Sequence, residues 1–237
     1  ELGKINGKEY IVKTIVTTET IKTIAERNGV EMYDVYTGFK WIANVMRENE
    51  GKKNYIGGGE ESYGFLCEDF VRDKDAVSAC VILAEIAAWA KDQGLSLYQL
   101  LQKIYVEYGF SKEKGISVVK KGKSGAEEIE AMMKKFRENP LTEIAGSKVT
   151  YFYDYSTLKG KDYAENETVT LDMPTTSNVL QYFTEDNTKV SIRPSGTEPK
   201  IKFYMEVQGE MGCRNCFASA DAAAMEKIEA VKKSLGI

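Results

Sequence analysis

Apolar residues recur along this chain with two periods, near two and near 3.6, and the period in force changes from segment to segment. The run "YIVKTIVTT" from Tyr10 reads as a buried strand, and "VEMYDVY" as a second one. Between them lies a helix with Thr18 placed to cap it and Gly29 to end it. Phe39, Ile42, Ala43 and Met46 repeat at i, i+3, i+4 and i+7, which predicts a helix with Thr37 as its cap. "NYIGGGEESYGF" reads as a short strand breaking into a glycine-rich loop. From Ala76 to Ala90 the chain is apolar nearly all round, so that helix is expected to be buried on most faces. Ser96 and Gln99 form a capping box ahead of a helix carrying Leu97, Leu100, Leu101, Ile104, Tyr105 and Tyr108. Strands alternating with helices over short links predict a parallel α/β layer domain over residues 1–109.

Around "YGFSKEKG" the composition turns to glycine and lysine, which places a boundary near Gly109. Ser124 and Glu127 make a second capping box, before Ile129, Met132, Met133 and Phe136. "KVTYFYDY", "NVLQYFTE", "KVSIRPS" and "KIKFYMEV" read as strands in series, with "EDNT" as a hairpin turn. A last amphipathic helix carries Met225, Ile228, Val231 and Leu235. A run of strands flanked by helices predicts a small α+β domain, an antiparallel sheet with helices, over residues 110–237.

Composition narrows the function. The 237 residues are 43% hydrophobic and 29% charged, as in a soluble globular protein. A formal charge of −4 argues against bulk nucleic-acid binding, and no apolar run is long enough to span a bilayer. There is no histidine, which removes Ser-His-Asp triads, Cys-His dyads and imidazole metal sites. "CRNC" is a lone C-x-x-C without the further thiolates or imidazoles that zinc wants, so Cys67, Cys80, Cys213 and Cys216 are expected to be free thiols in a reducing compartment. The chain opens "ELGKINGKEY" with neither Met nor a signal sequence, so targeting information is absent or lies upstream, and a cytoplasmic setting is expected.

Two loops carry the chemistry. In "RPSGTEPKIKFY", Pro194 and Pro199 fence a loop off from its flanking strands, because proline cannot donate to a ladder. Arg193 offers a guanidinium, Ser195 and Thr197 offer hydroxyls, and Gly196 lets backbone N–H groups turn inward. Those are the parts of an oxyanion cradle, and phosphate suits it. On the following strand Lys200, Lys202 and Tyr204 share one face, which sets two ammonium groups beside the loop. An ordinary polar hairpin with solvated lysines is the competing reading. In "GGGEESYGF", Gly57 to Gly59 would permit close approach of backbone to a ligand. If the stretch is extended, Glu60 and Ser62 point the same way and suit vicinal sugar hydroxyls; a solvated acidic turn is the alternative. In "DFVRDKDAV", Arg72 and Lys74 interleave with Asp69, Asp73 and Asp75, so the carboxylates are partnered and no metal is expected there.

Taken together, "GEESYGF", then "VRDKDAVSA", then "RPSGTEPKIKFY" resemble the α-D-phosphohexomutase superfamily, in its phosphoglucomutase/phosphomannomutase branch. The resemblance covers essentially the whole chain, as the third and fourth domains of a four-domain enzyme. It implies sugar contacts from Thr37, Gly38, Glu60, Ser62 and Lys74. It implies a phosphate site of Arg193, Ser195, Gly196, Thr197 and Lys202, where the family often has arginine in place of Lys202. The family's phosphoryl-carrying serine loop contains histidine and its Mg²⁺ loop is Asp-x-Asp-x-Asp; neither is in these residues, so no catalytic or metal residue is assigned here. The implied activity is transfer of a phosphoryl group between the two ends of a hexose phosphate. Mg²⁺ and glucose 1,6-bisphosphate would take part, and the N-terminal domains of the same polypeptide would be the partner. The fragment alone would be inactive. A phosphopentomutase, a glucose-1,6-bisphosphate synthase and a non-catalytic sugar-phosphate-binding module are the alternatives.

Overall fold

The computed structural model describes residues 5–120, 122–196 and 198–237. The chain divides into two compact units, one ending at Gly109 and also taking in Met211–Asn215, the other made of Phe110–Glu210 and Cys216–Ile237. Among the described residues no helix is long and apolar enough to cross a membrane.

In the first unit, β1 (Glu9–Thr14), β2 (Glu31–Val35), β3 (Asn54–Glu60) and β4 (Gly64–Cys67) form one sheet in the order β2-β1-β3-β4. β1 runs parallel to β2 and β3, and only the edge strand β4 is antiparallel. The helices are α1 (Thr20–Arg27), α2 (Phe39–Asn49), α3 (Ala76–Asp92) and α4 (Leu97–Tyr108). The predicted stripe of α2 is the one that packs: Phe39, Ile42 and Met46 close a core with Tyr10, Val12, Val35, Tyr55 and Leu66. α4 starts on the predicted capping box, with Gln99 N–H donating to Ser96 Oγ and Ser96 N–H to Gln99 Oε1.

Four expectations for this unit fail. Thr37 does not cap, because α2 starts from Gly38 with no capping side chain; Thr18 does serve α1, its Oγ1 accepting Thr20 N–H at 3.2 Å from the position just before Glu19. Gly38 takes φ 112°, a conformation closed to threonine, so α2 begins one residue later than the hydroxyl suggests. The glycines do not open a loop, because β3 runs straight through them. A Cβ on Gly58 would stand 2.2 Å from the Val12 carbonyl oxygen and 2.7 Å from the Tyr55 hydroxyl, so the close approach they permit is between strands. α3 is not buried: only Ala90 is, while Val77 and Leu83 are 74% and 55% exposed. Its main packing is on β4 and α4, and much of its apolar surface is left uncovered by the described residues of this unit. Finally, Arg72 pairs with Glu50 rather than with a neighbouring aspartate, and Asp75 caps α3 by accepting from Ser78 N–H at 2.8 Å.

The second unit is an antiparallel sheet in the order β5-β12-β11-β10-β7-β8-β9. Its strands are β5 (Phe110–Val119), β6 (Glu143–Ile144), which pairs with β7 (Ser147–Asp154), then β8 (Lys159–Asp162), β9 (Glu167–Thr170), β10 (Leu180–Thr184), β11 (Lys189–Pro194) and β12 (Lys200–Gly209). α5 (Gly122–Glu138) and α6 (Phe217–Leu235) lay their predicted stripes on the strands; Phe136 meets Phe203 edge-on, with ring centroids 6.2 Å apart. "EDNT" is the predicted turn, with Asn187 at φ 59° and Thr184 N–H donating to the Thr188 carbonyl. The glycine- and lysine-rich stretch read as a boundary is the edge strand β5, paired with β12 over ten residues. α5 begins at Gly122, so Ser124 lies inside it and not ahead of it. Cys213 and Cys216 are disulfide-bonded, against the expectation of four free thiols; Cys67 and Cys80 are free. The three-residue spacing across the turn Arg214–Cys216 brings the two sulfurs together.

Candidate functional site

Two separate clusters contain the predicted site residues. The first sits at the ends of β2 and β3. Glu60, the last residue of β3, accepts the Gly38 N–H on Oε1 at 2.5 Å. That amide is at the N-terminus of α2, where the helix dipole favours a negative charge. The other oxygen lies over Gly64: a Cβ there would meet Glu60 Oε2 at 3.0 Å and Lys74 Cδ at 3.3 Å. Glycine at 64 therefore keeps room for the carboxylate and the lysine stem. Lys74 Nζ reaches Asp73 at 3.1 Å and stands 5.8 Å from the centre of the Phe39 ring. The lysine pulls the Asp73 carboxyl below its usual range. Thr37, Gly38 and Glu60 are half-buried, whereas Ser62 and Lys74 are exposed.

Ser62 departs from the reading that it points with Glu60. Residues 61–63 are a tight turn, with Tyr63 at φ 61°, and Ser62 Oγ donates to Glu61 Oε1 at 3.1 Å. Glu61 also accepts from Thr14 Oγ1 at 3.4 Å. Glu60, Gly38 and Lys74 thus come together, while Ser62 stands apart on the turn.

Behind this cluster is a buried cation that the strand pattern passes over. Lys13, in the middle of "YIVKTIVTT", has no exposed side-chain surface. It donates to Asp34 at 2.7 Å and Glu19 at 3.0 Å, and reaches the Thr17 carbonyl at 3.5 Å. Burial alone would lower its pKa, but the two carboxylates outweigh that and raise it. It therefore ties the β1–α1 turn to β2, three residues before Thr37. The only signal for it in the sequence is a lysine inside an apolar strand.

The second cluster is the loop between β11 and β12. Its base is closed by Ser195 N–H donating to the Lys200 carbonyl at 2.8 Å, and Glu198 N–H reaches Ser195 Oγ at 3.3 Å. Arg193 and Lys202 are direct cross-strand partners in the antiparallel register, so two cations share one face. Among the described residues neither forms an ion pair with a carboxylate. Lys200 does: it bonds to Glu198 and holds that carboxyl below its usual range. Lys202 Nζ lies 5.8 Å from the centre of the Tyr204 ring. Ile201 and Phe203 are fully buried on the opposite face, as the alternation predicts. Gly196 is exposed, and a Cβ on it would meet nothing within 4 Å. Its lack of a side chain is therefore not needed for packing and leaves open space in front of the loop. Thr197 lies outside the described residues. Like charges opposed across a ladder repel, so an anion between Arg193 and Lys202 would relieve the repulsion.

Among the described residues no group of three or more Asp, Glu, Cys or His is placed to hold a metal ion.

Family models match both units. Residues 1–108 match phosphoglucomutase/phosphomannomutase, alpha/beta/alpha domain III, and residues 117–223 match the C-terminal domain of the same family. A phosphoglucomutase of Staphylococcus haemolyticus is 35% identical over 207 residues, covering 87% of this chain and 37% of the relative. One from Staphylococcus aureus is 39% identical over 198 residues, 84% of this chain and 36% of the relative. The chain thus spans a little over a third of the length of these relatives. Among solved structures, the open form of parafusin, a phosphoglucomutase from Paramecium, aligns with a TM-score of 0.57 at 18% identity, over 96% of this chain and 38% of that one. A phosphoglucomutase/phosphomannomutase family protein from Burkholderia thailandensis aligns with a TM-score of 0.50 at 16% identity, over 96% and 38%. At such identities the two structures speak for the fold alone.

Proposed function

The chain belongs to the phosphoglucomutase/phosphomannomutase family, and from that premise we propose that it is the substrate-holding part of a phosphohexomutase. The second unit anchors the phosphate of a hexose phosphate on Arg193, Ser195, Gly196, Thr197 and Lys202. The first unit takes sugar hydroxyls on Glu60, with Thr37, Gly38, Ser62 and Lys74 around it. Glu60 suits this because one oxygen is held by Gly38 N–H while the other remains an acceptor beside a lysine. Phosphoryl transfer depends mainly on positioning and charge stabilisation, so the phosphate that does not react needs a firm anchor. The phosphoryl-carrying group and the Mg²⁺ ligands come from polypeptide outside these residues, and glucose 1,6-bisphosphate is the intermediate.

The observation that carries the proposal is the opposed pair Arg193 and Lys202 beside an open Gly196. Titrating the ¹⁵N-labelled chain with inorganic phosphate and with glucose 1-phosphate tests it. Both ligands should shift the Ser195 and Gly196 amides, and only the sugar phosphate should also move Gly38. Amide shifts confined to other loops would remove the anchor assignment.

A further inference from the structure

The disulfide between Cys213 and Cys216 is placed for exchange more than for bracing the fold. It closes a loop of four residues, and the constraint a cross-link puts on the unfolded chain shrinks with the loop it closes. The helix that follows has its own support: α6 is 19 residues long, packs on β5, β6 and β12, and buries Ala224, Ile228, Val231 and Leu235. The bond is also within reach. Cys213 is exposed and Cys216 half-buried, on a turn whose other residues, Gly212, Arg214 and Asn215, are exposed. The leaving side is prepared as well. Cys216 is the cap residue of α6, where the helix dipole favours negative charge, and no acidic residue stands in the first turn of that helix. Asp221, further in, is engaged by Lys112 at 2.6 Å. Between the two cysteines the chain places a cation, Arg214.

We propose that Cys213 and Cys216 form a thiol–disulfide exchange site, opened and closed in the folded protein by a low-molecular-weight thiol. A thiolate attacks the exposed Cys213 sulfur and forms a mixed disulfide there. The Cys213–Cys216 bond breaks, and its electron pair leaves on Cys216 Sγ as a thiolate. A second thiolate attacks the reagent's sulfur in that mixed disulfide, forms the reagent's own disulfide and releases Cys213. Two reagent thiols are thus oxidised to one disulfide, and their two protons and two electrons pass to the cysteine pair. The reverse sequence closes the bond. Its structural consequence is local. Opening frees the turn Arg214–Cys216 and with it the start of α6, where Phe217 meets Phe110 edge-on, ring centroids 6.0 Å apart, and Ser219 Oγ donates to the Cys216 carbonyl at 2.8 Å. Neither sulfur belongs to the proposed phosphate or sugar contacts, so the exchange stands or falls independently of them.

The test equilibrates the folded chain, without oxygen, in mixtures of reduced and oxidised glutathione. Samples are quenched in denaturant with a maleimide, and the labelled cysteines are located by mass spectrometry of peptides. The untreated chain should label at Cys67 and Cys80 alone. Reduced glutathione should expose Cys213 and Cys216 to label as well, and oxidised glutathione should restore the bond. Losing a four-residue cross-link should lower the melting temperature by about 5 °C and leave the chain folded. The amides from Arg214 to Ser219 should shift, while those of Ile228 and Val231, buried on the sheet, stay still. Cys216→Ser should lose the reversible two-thiol step and instead carry one glutathione on Cys213. A pair that glutathione opens only in denaturant would overturn the proposal by making the bond a structural brace. A pair that oxidised glutathione fails to close, or a chain that unfolds on reduction, would overturn it too. Should the serine variant not fold, the titration of the unaltered chain decides by itself.

Discussion

Replacing Arg193 with methionine should make the free protein slightly more stable and a poorer binder of phosphate. Arg193 and Lys202 oppose each other across the β11–β12 ladder, with no carboxylate ion-paired to either among the described residues. Like charges so placed cost ~0.2–1 kcal/mol, and methionine keeps an apolar stem of similar reach while removing the charge. The expected gain of ~0.5 kcal/mol corresponds to a melting temperature about 1–3 °C higher. In binding the sign reverses. A charge-assisted hydrogen bond to phosphate is worth ~1.5–3 kcal/mol, so affinity should fall roughly 10- to 150-fold. At a phosphate concentration ten times the wild-type Kd, wild type would be stabilised by ~1.4 kcal/mol and a variant thirtyfold weaker by ~0.2 kcal/mol. Thermal unfolding with and without phosphate, at low ionic strength, reads both effects in one experiment. Lys202→Met is the internal control: relief of repulsion is offset by a lost cation–π contact with Tyr204 worth ~0.5–1 kcal/mol, so its free form should melt near wild type. If Arg193→Met melts lower in the absence of phosphate, or keeps the full phosphate stabilisation, the repulsion argument is wrong.

Three further outcomes follow from the packing. Gly58→Ala should destabilise the first unit by ~3 kcal/mol or abolish its folding, because the new Cβ would meet the backbone of β1 at 2.2 Å; a melting curve within 1 °C of wild type would refute it. Lys13→Met should cost ~3 kcal/mol in denaturant unfolding, at the low end for a broken buried pair because Glu19 and Asp34 are partly open to water. Adding Asp34→Asn should recover part of the loss, and no recovery would argue against charge as the cause. Asp186 is raised by burial, but bonds from Lys227, Thr184 and Thr188 outweigh this and hold it at about 2. Its stabilising effect is therefore full above pH ~4 and lost as pH falls towards 2. The side chain is 39% exposed, so after screening the effect is on the order of 1 kcal/mol. Asp186→Asn should flatten that acid limb, and an unchanged pH profile would rule the linkage out.

The sequence by itself determined the elements whose own side chains make the contacts. The stripes of α2, α5 and α6 were legible because a helix buries one face of its own pattern, and residues 203 and 205 on β12 are buried for the same reason in a strand. The Ser96–Gln99 capping box and the turn at Asn187 were legible because their hydrogen bonds close within four residues. The cationic loop from Arg193 to Lys202 was legible because prolines, a glycine and alternating lysines each carry a local meaning. Only the tertiary structure decided what depends on distant partners. β5 shows a lysine-rich, nearly patternless sequence because it is an edge strand, and the β12 ladder makes it a strand. Gly58 owes its identity to the carbonyl of Val12, 46 positions earlier in the chain. Glu60 finds Gly38, and Lys13 finds Asp34, across 22 and 21 residues. The exposure of α3 was hidden for a related reason: an apolar sequence records that a surface is to be covered, not whether the cover lies within the same unit. Local periodicity encodes which face a residue takes, whereas the register of separate segments sets which residue it meets.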